Sequence, residues 1–276
     1  MEELDTKKYA GIDLGKTSVQ FSIYREGQEE MSEESFPIAK EQQEAYIETG
    51  IHLVEEYMKE KEYQWSDYQA VHFSMQDPSE ENRDKLKESV SEEFLKFHTV
   101  KVITHFRAFA EYVFHQERIM WDRNTLLLDY HDNQLSYVLI DQIRRSRQKA
   151  YRAVEKQIDL NEYRVVEGTP EQDANFGQMV KRFLVKNPAN IIFLTGSGFE
   201  GNWMKKTLTY LCAGRRVFLG QNLYANGACL LGIHPIELMD EGMILMDGPD
   251  MVYHTVGVIT TCLLYTSPSP RDLSTS

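Results

Sequence analysis

The sequence predicts an α/β protein built as two lobes with mixed sheets, and three observations lead there. Apolar runs of strand length alternate with helical patterns along most of the 276 residues. The order hairpin, helix, strand, helix, strand, helix fills the first half, and the pattern restarts near Thr125. Two glycine-bearing segments, YAGIDLGKTSVQFSIY and FLTGSGFEGNW, each place their glycines just after an apolar strand.

Residues 9–14 form the first strand. In the second, Val19, Phe21 and Ile23 alternate with Ser18, Gln20 and Ser22, the period of two expected of a half-buried strand. Gly15 to Thr17 is the turn between them, and a polar Glu-rich connection then runs to Pro37. Residues 41–63 read as an amphipathic helix, with Ile47, Ile51, Val54 and Met58 three and four apart. Residues 69–74 (QAVHFS) suit a buried strand. Pro78, Ser79 and the acidic residues after them open a helix to Phe97. A strand at 100–104 and a helix at 106–116 complete the first half. The second half predicts strands at 125–129 (TLLLD), 134–141 and 149–158, then a helix at 171–185. A buried strand at 190–194 (NIIFL) delivers the TGSG loop into a helix at 199–212. A short strand at 216–219 leads to a closing helix at 224–231. The expected spans are 1–120 and 121–235 for the lobes and 236–261 for the start of a further segment.

Apolar and charged fractions of 42% and 26% are those of an ordinary globular chain. A net charge of −13 argues against a general nucleic-acid binder, since a phosphate backbone needs clustered Lys and Arg. The short run Arg144, Arg145 and Arg147 reads as a solvated hairpin. No apolar stretch approaches the roughly 20 residues that span a bilayer. The acidic start MEELDTKK is unlike a secretory signal. A cytoplasmic protein with neither nucleic-acid nor membrane partner is expected. Three cysteines and eight scattered histidines form no disulfide or metal pattern; Cys212 and Cys229 read as core. The tail CLLYTSPSPRD, from Cys262 to Asp272, back-translates in one frame to a string that resembles the transposase adapter ligated to DNA fragments for sequencing. Residues 262–276 are therefore set aside, and a native chain diverging near Thr261 is expected.

Asp13 ends a buried strand, and Gly15 opens a turn whose backbone N–H groups can face an anion. The carboxylate suits a Mg²⁺ held through water, and Lys16 with Thr17 or Ser18 suits phosphate oxygens. An ordinary hairpin turn is the competing reading. Gly196, Ser197 and Gly198 let the backbone lie against a base or ribose beside a helix N-terminus; a tight loop between strand and helix competes. Trp203 suits either base stacking or packing.

Together these segments resemble the phosphate and adenosine motifs of the actin, sugar-kinase and heat-shock-chaperone ATPase superfamily, whose duplicated lobes are ribonuclease H-like. LLLDYHDNQLSYVLI sits where that superfamily places its second phosphate hairpin, so Asp129 matches the second carboxylate. QNLYANGACLLGI resembles the closing helix, where Gly227, Ala228 and Gly232 permit close packing at a hinge. The sequence looks closest to a bacterial family described only as actin-like, in which NLYxxGAC-type helices recur.

The resemblance implies a nucleotide cleft with ATP and Mg²⁺ as cofactors. Asp13 and Asp129 would orient the metal shell through water, Gly15, Lys16 and Thr17 would hold phosphate, and Gly196, Ser197 and Gly198 would hold adenosine. Two departures stand out. Tyr130, His131 and Asp132 replace the glycine expected after the second carboxylate, which weakens triphosphate binding. His105, in VITHFRAFAEYV, replaces a Glu that positions water in the chaperone branch; a neutral His can orient water, or it is a polar strand end. The implied function is ATP binding with weak Mg²⁺-dependent ATPase activity, and lobe closure communicated to a protein partner or another copy. A non-catalytic scaffold that has lost hydrolysis or binding is the alternative. A small-molecule kinase is a third reading, without a sugar-binding signature, and a fold alone does not choose between them.

Overall fold

The computed structural model describes residues 6–121, 123–131, 133–145, 148–236 and 243–247. The first sheet contains β1 (Lys8–Leu14), β2 (Ser18–Arg25), β3 (Ser32–Pro37), β4 (Tyr68–Met75) and β5 (Val102–Thr104). Its order is β3-β2-β1-β4-β5. Helices α1 (Tyr46–Glu60), α2 (Glu80–Ser89), α3 (Glu92–Phe97) and α4 (His105–Phe114) accompany it. The second half brings β6 (Thr125–His131), β7 (Gln134–Arg145), β8 (Gln148–Ile158), α5 (Gln172–Lys186), β9 (Ile191–Thr195), α6 (Lys205–Cys212), β10 (Arg216–Leu219), α7 (Leu223–Ile233) and β11 (Met243–Asp247). Its six-stranded order is β10-β9-β6-β7-β8-β11. Read from β8 to β10, this repeats the first sheet strand for strand, with the same antiparallel and parallel pairings. The duplication is therefore visible in topology, where sequence identity hides it. The second sheet also reaches past 121–235, taking in β11 beside β8.

Alternation along β1 decides what each face meets. Ala10, Ile12 and Leu14 join Phe21, Phe73 and the apolar stripe of α1 in one core. Gly11 and Asp13 lie on the other face, where α7 packs closely against β1. A Cβ on Gly11 would stand 1.9 Å from the Ala225 carbonyl oxygen. In the second sheet Leu126, Leu128 and Tyr130 pack into a core with Phe176 and Met179 of α5. Leu127, on the opposite face, packs with Phe106, Phe109 and Val113 of α4. Each such side chain contributes about 1.5–3 kcal/mol by leaving water. Thus α7 covers the first sheet and α4 the second. The two helices cross where a Cβ on Gly227 would lie 1.8 Å from the Ala108 carbonyl oxygen.

Local chemistry explains where elements differ from expectation. Residues 32–37 are a strand, not a connection; β3 is an exposed edge held by its pairing with β2, so it has no buried period to read. The helix expected over 41–63 starts only at Tyr46, after a 3₁₀ segment Lys40–Ala45. The helix expected up to Phe97 is broken at Val90, which is extended, and Ser91 restarts it by accepting from the Phe94 N–H. The helix expected from Phe199 starts at Lys205, because Gly201 holds a positive φ of 83°. Cys229 is buried, but Cys212 is exposed. The β7–β8 hairpin pairs Arg145 with Gln148, while Arg147 lies outside the described residues. Asp132 and the tail 262–276 also lie outside them. Among the described residues no helix is long and apolar enough to cross a membrane.

Candidate functional site

The two hairpins place their carboxylates alike. Asp13 pairs with Gln20 and Asp129 with Ser136, so the distance from carboxylate to turn is the same in both. On the parallel side Asp13 meets Ser74 of β4, and Asp129 meets Thr195 of β9. Both carboxylates are nearly closed off, at 5% and 6% exposure.

Each is held by the helix that ends its own lobe. Thr104 caps α4 by accepting from the Arg107 N–H, which sets His105 at the helix start. His105 Nε2 lies 2.8 Å from Asp13 Oδ1, and the Ser74 hydroxyl donates to the same oxygen at 2.8 Å. With a carboxylate as acceptor, Nε2 carries the ring proton; Nδ1 is buried without a partner. At the start of α7 the Tyr224 hydroxyl donates to Asp129 Oδ2 at 2.5 Å. His131 Nε2 stands 2.8 Å from Asp129 Oδ1 without hydrogen-bond geometry.

The His105 and Tyr224 rings then stack on each other, with centroids 3.8 Å apart and planes 7° apart. A continuous chain results: Ser74, Asp13, His105, Tyr224, Asp129. Burial pushes the Tyr224 hydroxyl well above its ordinary value of 10, and the charge of Asp129, its hydrogen bond and the more distant Asp13 add to the shift. The phenol therefore stays protonated and keeps donating. A second polar tie closes the same helix start, where Asn222 and Asn226 donate to Glu33 of β3 at 2.8 and 2.6 Å.

The glycines are occupied by the protein itself. The Gly15 N–H, expected to face an anion, donates to the Ser18 carbonyl at 3.1 Å and closes its own turn. Lys16 and Thr17 are exposed at the tip. Gly196, with φ 107°, would bring a Cβ within 2.3 Å of the Tyr130 carbonyl oxygen, and Gly198 within 2.3 Å of the Tyr130 ring. Ser197 lies in the 3₁₀ turn Ser197–Phe199 between strand and loop. Tyr130 itself does not stand in the cleft, as its place after Asp129 suggested. It is fully buried, stacked on Phe176 and edge-on to Phe199 and Trp203. Trp203 packs there too and donates to the Gly198 carbonyl at 3.0 Å.

The structure thus gathers Asp13, His105 and Asp129 into one network. Tyr224 and Ser74 are the members that sequence reading missed. Register could have found Ser74, since a parallel strand beside β1 sets a hydroxyl next to Asp13. Nothing in the closing-helix motif marks Tyr224 for Asp129.

Two ribonuclease H-like lobes with helices crossing between them are the actin-like ATPase fold. Residues 23–247 match the family described as "Family of unknown function (DUF5716) C-terminal", and the chain belongs to it. Among solved structures it is similar to an inorganic polyphosphate/ATP-glucomannokinase from Arthrobacter sp. strain KM. That match has 12% identity and a TM-score of 0.50, over 82% of this chain and 97% of that one. It also matches component A of the Acidaminococcus fermentans (R)-2-hydroxyglutaryl-CoA dehydratase, at 11% identity and a TM-score of 0.48, over 84% and 98%. The activator of the Clostridium difficile 2-hydroxyisocaproyl-CoA dehydratase, bound to ADPNP, matches at 10% identity and a TM-score of 0.48, over 82% and 94%. No curated relative matches the sequence.

Proposed function

We propose that this protein is a non-catalytic scaffold with the actin-like fold, in which the former nucleotide machinery clasps the lobes together. The observation behind this reading is the chain from Asp13 through His105 and Tyr224 to Asp129. The fold family implies Mg²⁺-ATP between the lobes, and the residues present do not fit it. One oxygen of Asp13 already accepts two hydrogen bonds, and Tyr224 donates to Asp129 Oδ2 while the His131 ring stands 2.8 Å from Asp129 Oδ1. Gly15, Gly196 and Gly198 are filled by Ser18 and Tyr130 rather than left for a phosphate or ribose. An added metal shell would have to displace the buried Tyr224 hydroxyl and leave it without an acceptor, at about 1–3 kcal/mol.

Thermal unfolding with and without Mg²⁺-ATP tests this, alongside phosphate release. The scaffold predicts an unchanged Tm and no turnover. A ligand at about 100 times its Kd stabilises by roughly 2.7 kcal/mol, so a clear upward shift would overturn the reading in favour of an ATP-binding protein whose clasp opens.

A further inference from the structure

Charge is divided unevenly along this acidic chain. Residues 26–48 hold eight glutamates and one cation, Lys40, whereas residues 181–219 hold seven lysines and arginines and one acidic residue, Glu200. The fold gathers each set on one surface. The acidic set spans the turn into β3, β3 itself and the start of α1. β3 pairs with β2 and is the outer strand of the first sheet. The basic set lies on α5, α6 and β10, and β10 pairs with β9 as the outer strand of the second sheet.

The basic surface is left unneutralised. Asp173, the acid that ties α5 to α6, is taken up by the Lys206 and Thr207 N–H groups and the Thr207 hydroxyl. Lys181 and Arg215 both converge on the Tyr210 ring, 5.1 and 5.3 Å from its centroid. Among the described residues none of the seven cations is in an ion pair. Beside them β10 leaves Phe218 and Leu219 exposed, at 37% and 68%. A sheet edge with apolar side chains and open backbone groups is a template for another strand.

The two edges stand on the same side of the molecule. Only Gly220 and Gln221 separate β10 from Asn222, and Asn222 and Asn226 donate to Glu33 of β3. Charge also decides which edges can meet. Two β3 edges repel each other, as do two β10 edges, whereas β3 and β10 attract. The net charge of −13 disfavours a nucleic acid or an anionic membrane as the occupant, while another copy of the chain supplies the complementary surface.

We propose that this side binds a second copy of the chain, the β10 edge of one copy lying along the β3 edge of the other. With both edges on one side, a two-fold axis makes the contact twice and closes a dimer. Neither edge includes Asp13, His105, Tyr224 or Asp129, so the pairing stands whether or not the cleft takes a nucleotide.

Sedimentation equilibrium of the full chain at about 5–200 μM, in low and high salt, tests this. The expected result is a monomer–dimer equilibrium that salt weakens, with amide exchange in β3 and β10 slowing as the concentration rises. Two variants reverse charge at exposed positions: Arg182→Glu with Arg216→Glu, and Glu29→Lys with Glu30→Lys. Each alone weakens the dimer by about tenfold or more with Tm unchanged. An equimolar mixture recovers the dimer, because reversed edges then face each other and native edges do the same. A chain still monomeric at about 200 μM, a dimer indifferent to both variants, or a mixture no tighter than its components each overturns the proposal. Salt-sensitive binding of an oligonucleotide or of phosphatidylserine vesicles through Arg216, by a chain that stays monomeric, overturns it in favour of a nucleic acid or a membrane.

Discussion

The β1–β2 and β6–β7 hairpins share length, register and strand neighbours, yet the space beneath their turns is used in opposite ways. Under the first, Leu14, on the face opposite Asp13, enters the core, and the loop after β4 carries Gln76 and Asp77 with no glycine. Under the second, Tyr130 occupies the matching position and presses on the loop after β9, so that Gly196 and Gly198 become necessary. The carboxylates differ too. Asp13 has two donors on one oxygen, whereas Asp129 accepts from Tyr224 on Oδ2 and its Oδ1 is buried without a hydrogen-bond partner. The duplicated backbone keeps its geometry in both copies, while the second hairpin packs Tyr130 against the glycine loop.

The sharpest way to break that comparison is at the glycine loop. Gly196→Ala meets two costs, a positive φ and a clash with the Tyr130 backbone, together about 3 kcal/mol or more. Gly201→Ala has a similar φ of 83° but open space around it, and should cost only about 1–2 kcal/mol. Urea unfolding of both variants measures the difference. Equal losses would mean that Tyr130 does not lock the loop.

The next effect lies in the clasp. Tyr224→Phe removes the hydroxyl donor of Asp129 and should cost about 2 kcal/mol, while Ser74→Ala leaves Asp13 with His105 and should cost about 1 kcal/mol. A reversed order in urea melts would show that the first lobe carries the greater strain. The Tyr224 contribution also has a pH signature. Its folded pKa is raised, so the stability is fully present below about pH 10, the unfolded value, and is lost as pH rises through the folded one. The parent should therefore fall toward Tyr224→Phe in melts taken from about pH 9 to 11. Other tyrosines titrate in both proteins and cancel in the difference.

Much of this architecture was legible because it rests on periodicity. β2 alternates cleanly, α1 has its stripe, and TLLLD and NIIFL are buried on both faces, so these elements appear where their residues put them. β3 was not legible, because an exposed edge strand has no apolar period and takes its stability from backbone pairing. At the site, Asp13 could be picked out by its place at the end of a buried strand, and Asp129 and His105 through the resemblance to the ATPase superfamily. Their relationship could not: it depends on two helix starts, far apart in sequence, crossing at Ala108 and Gly227 so that two rings meet. Tyr130 illustrates the same limit. Adjacency to Asp129 suggested a cleft residue, but the strict alternation of a strand sends it to the opposite face.

The smallest expected effect separates two accounts of why the second hairpin is unsuited to phosphate. His131 occupies the position that Gly15 holds in the first hairpin, and its contact with Asp129 is partly exposed. A contact of that kind contributes about 0–1 kcal/mol, so His131→Gly should shift the urea midpoint only slightly. If the missing glycine were the obstacle, this variant alone would gain stabilisation by Mg²⁺-ATP. If the clasp is the obstacle, it gains none, because Tyr224 still occupies Asp129 Oδ2. Only the pair His131→Gly and Tyr224→Phe then frees the carboxylate while also clearing the turn. Gain of a nucleotide-dependent Tm shift in the single variant would move the explanation from the helix start back to the hairpin.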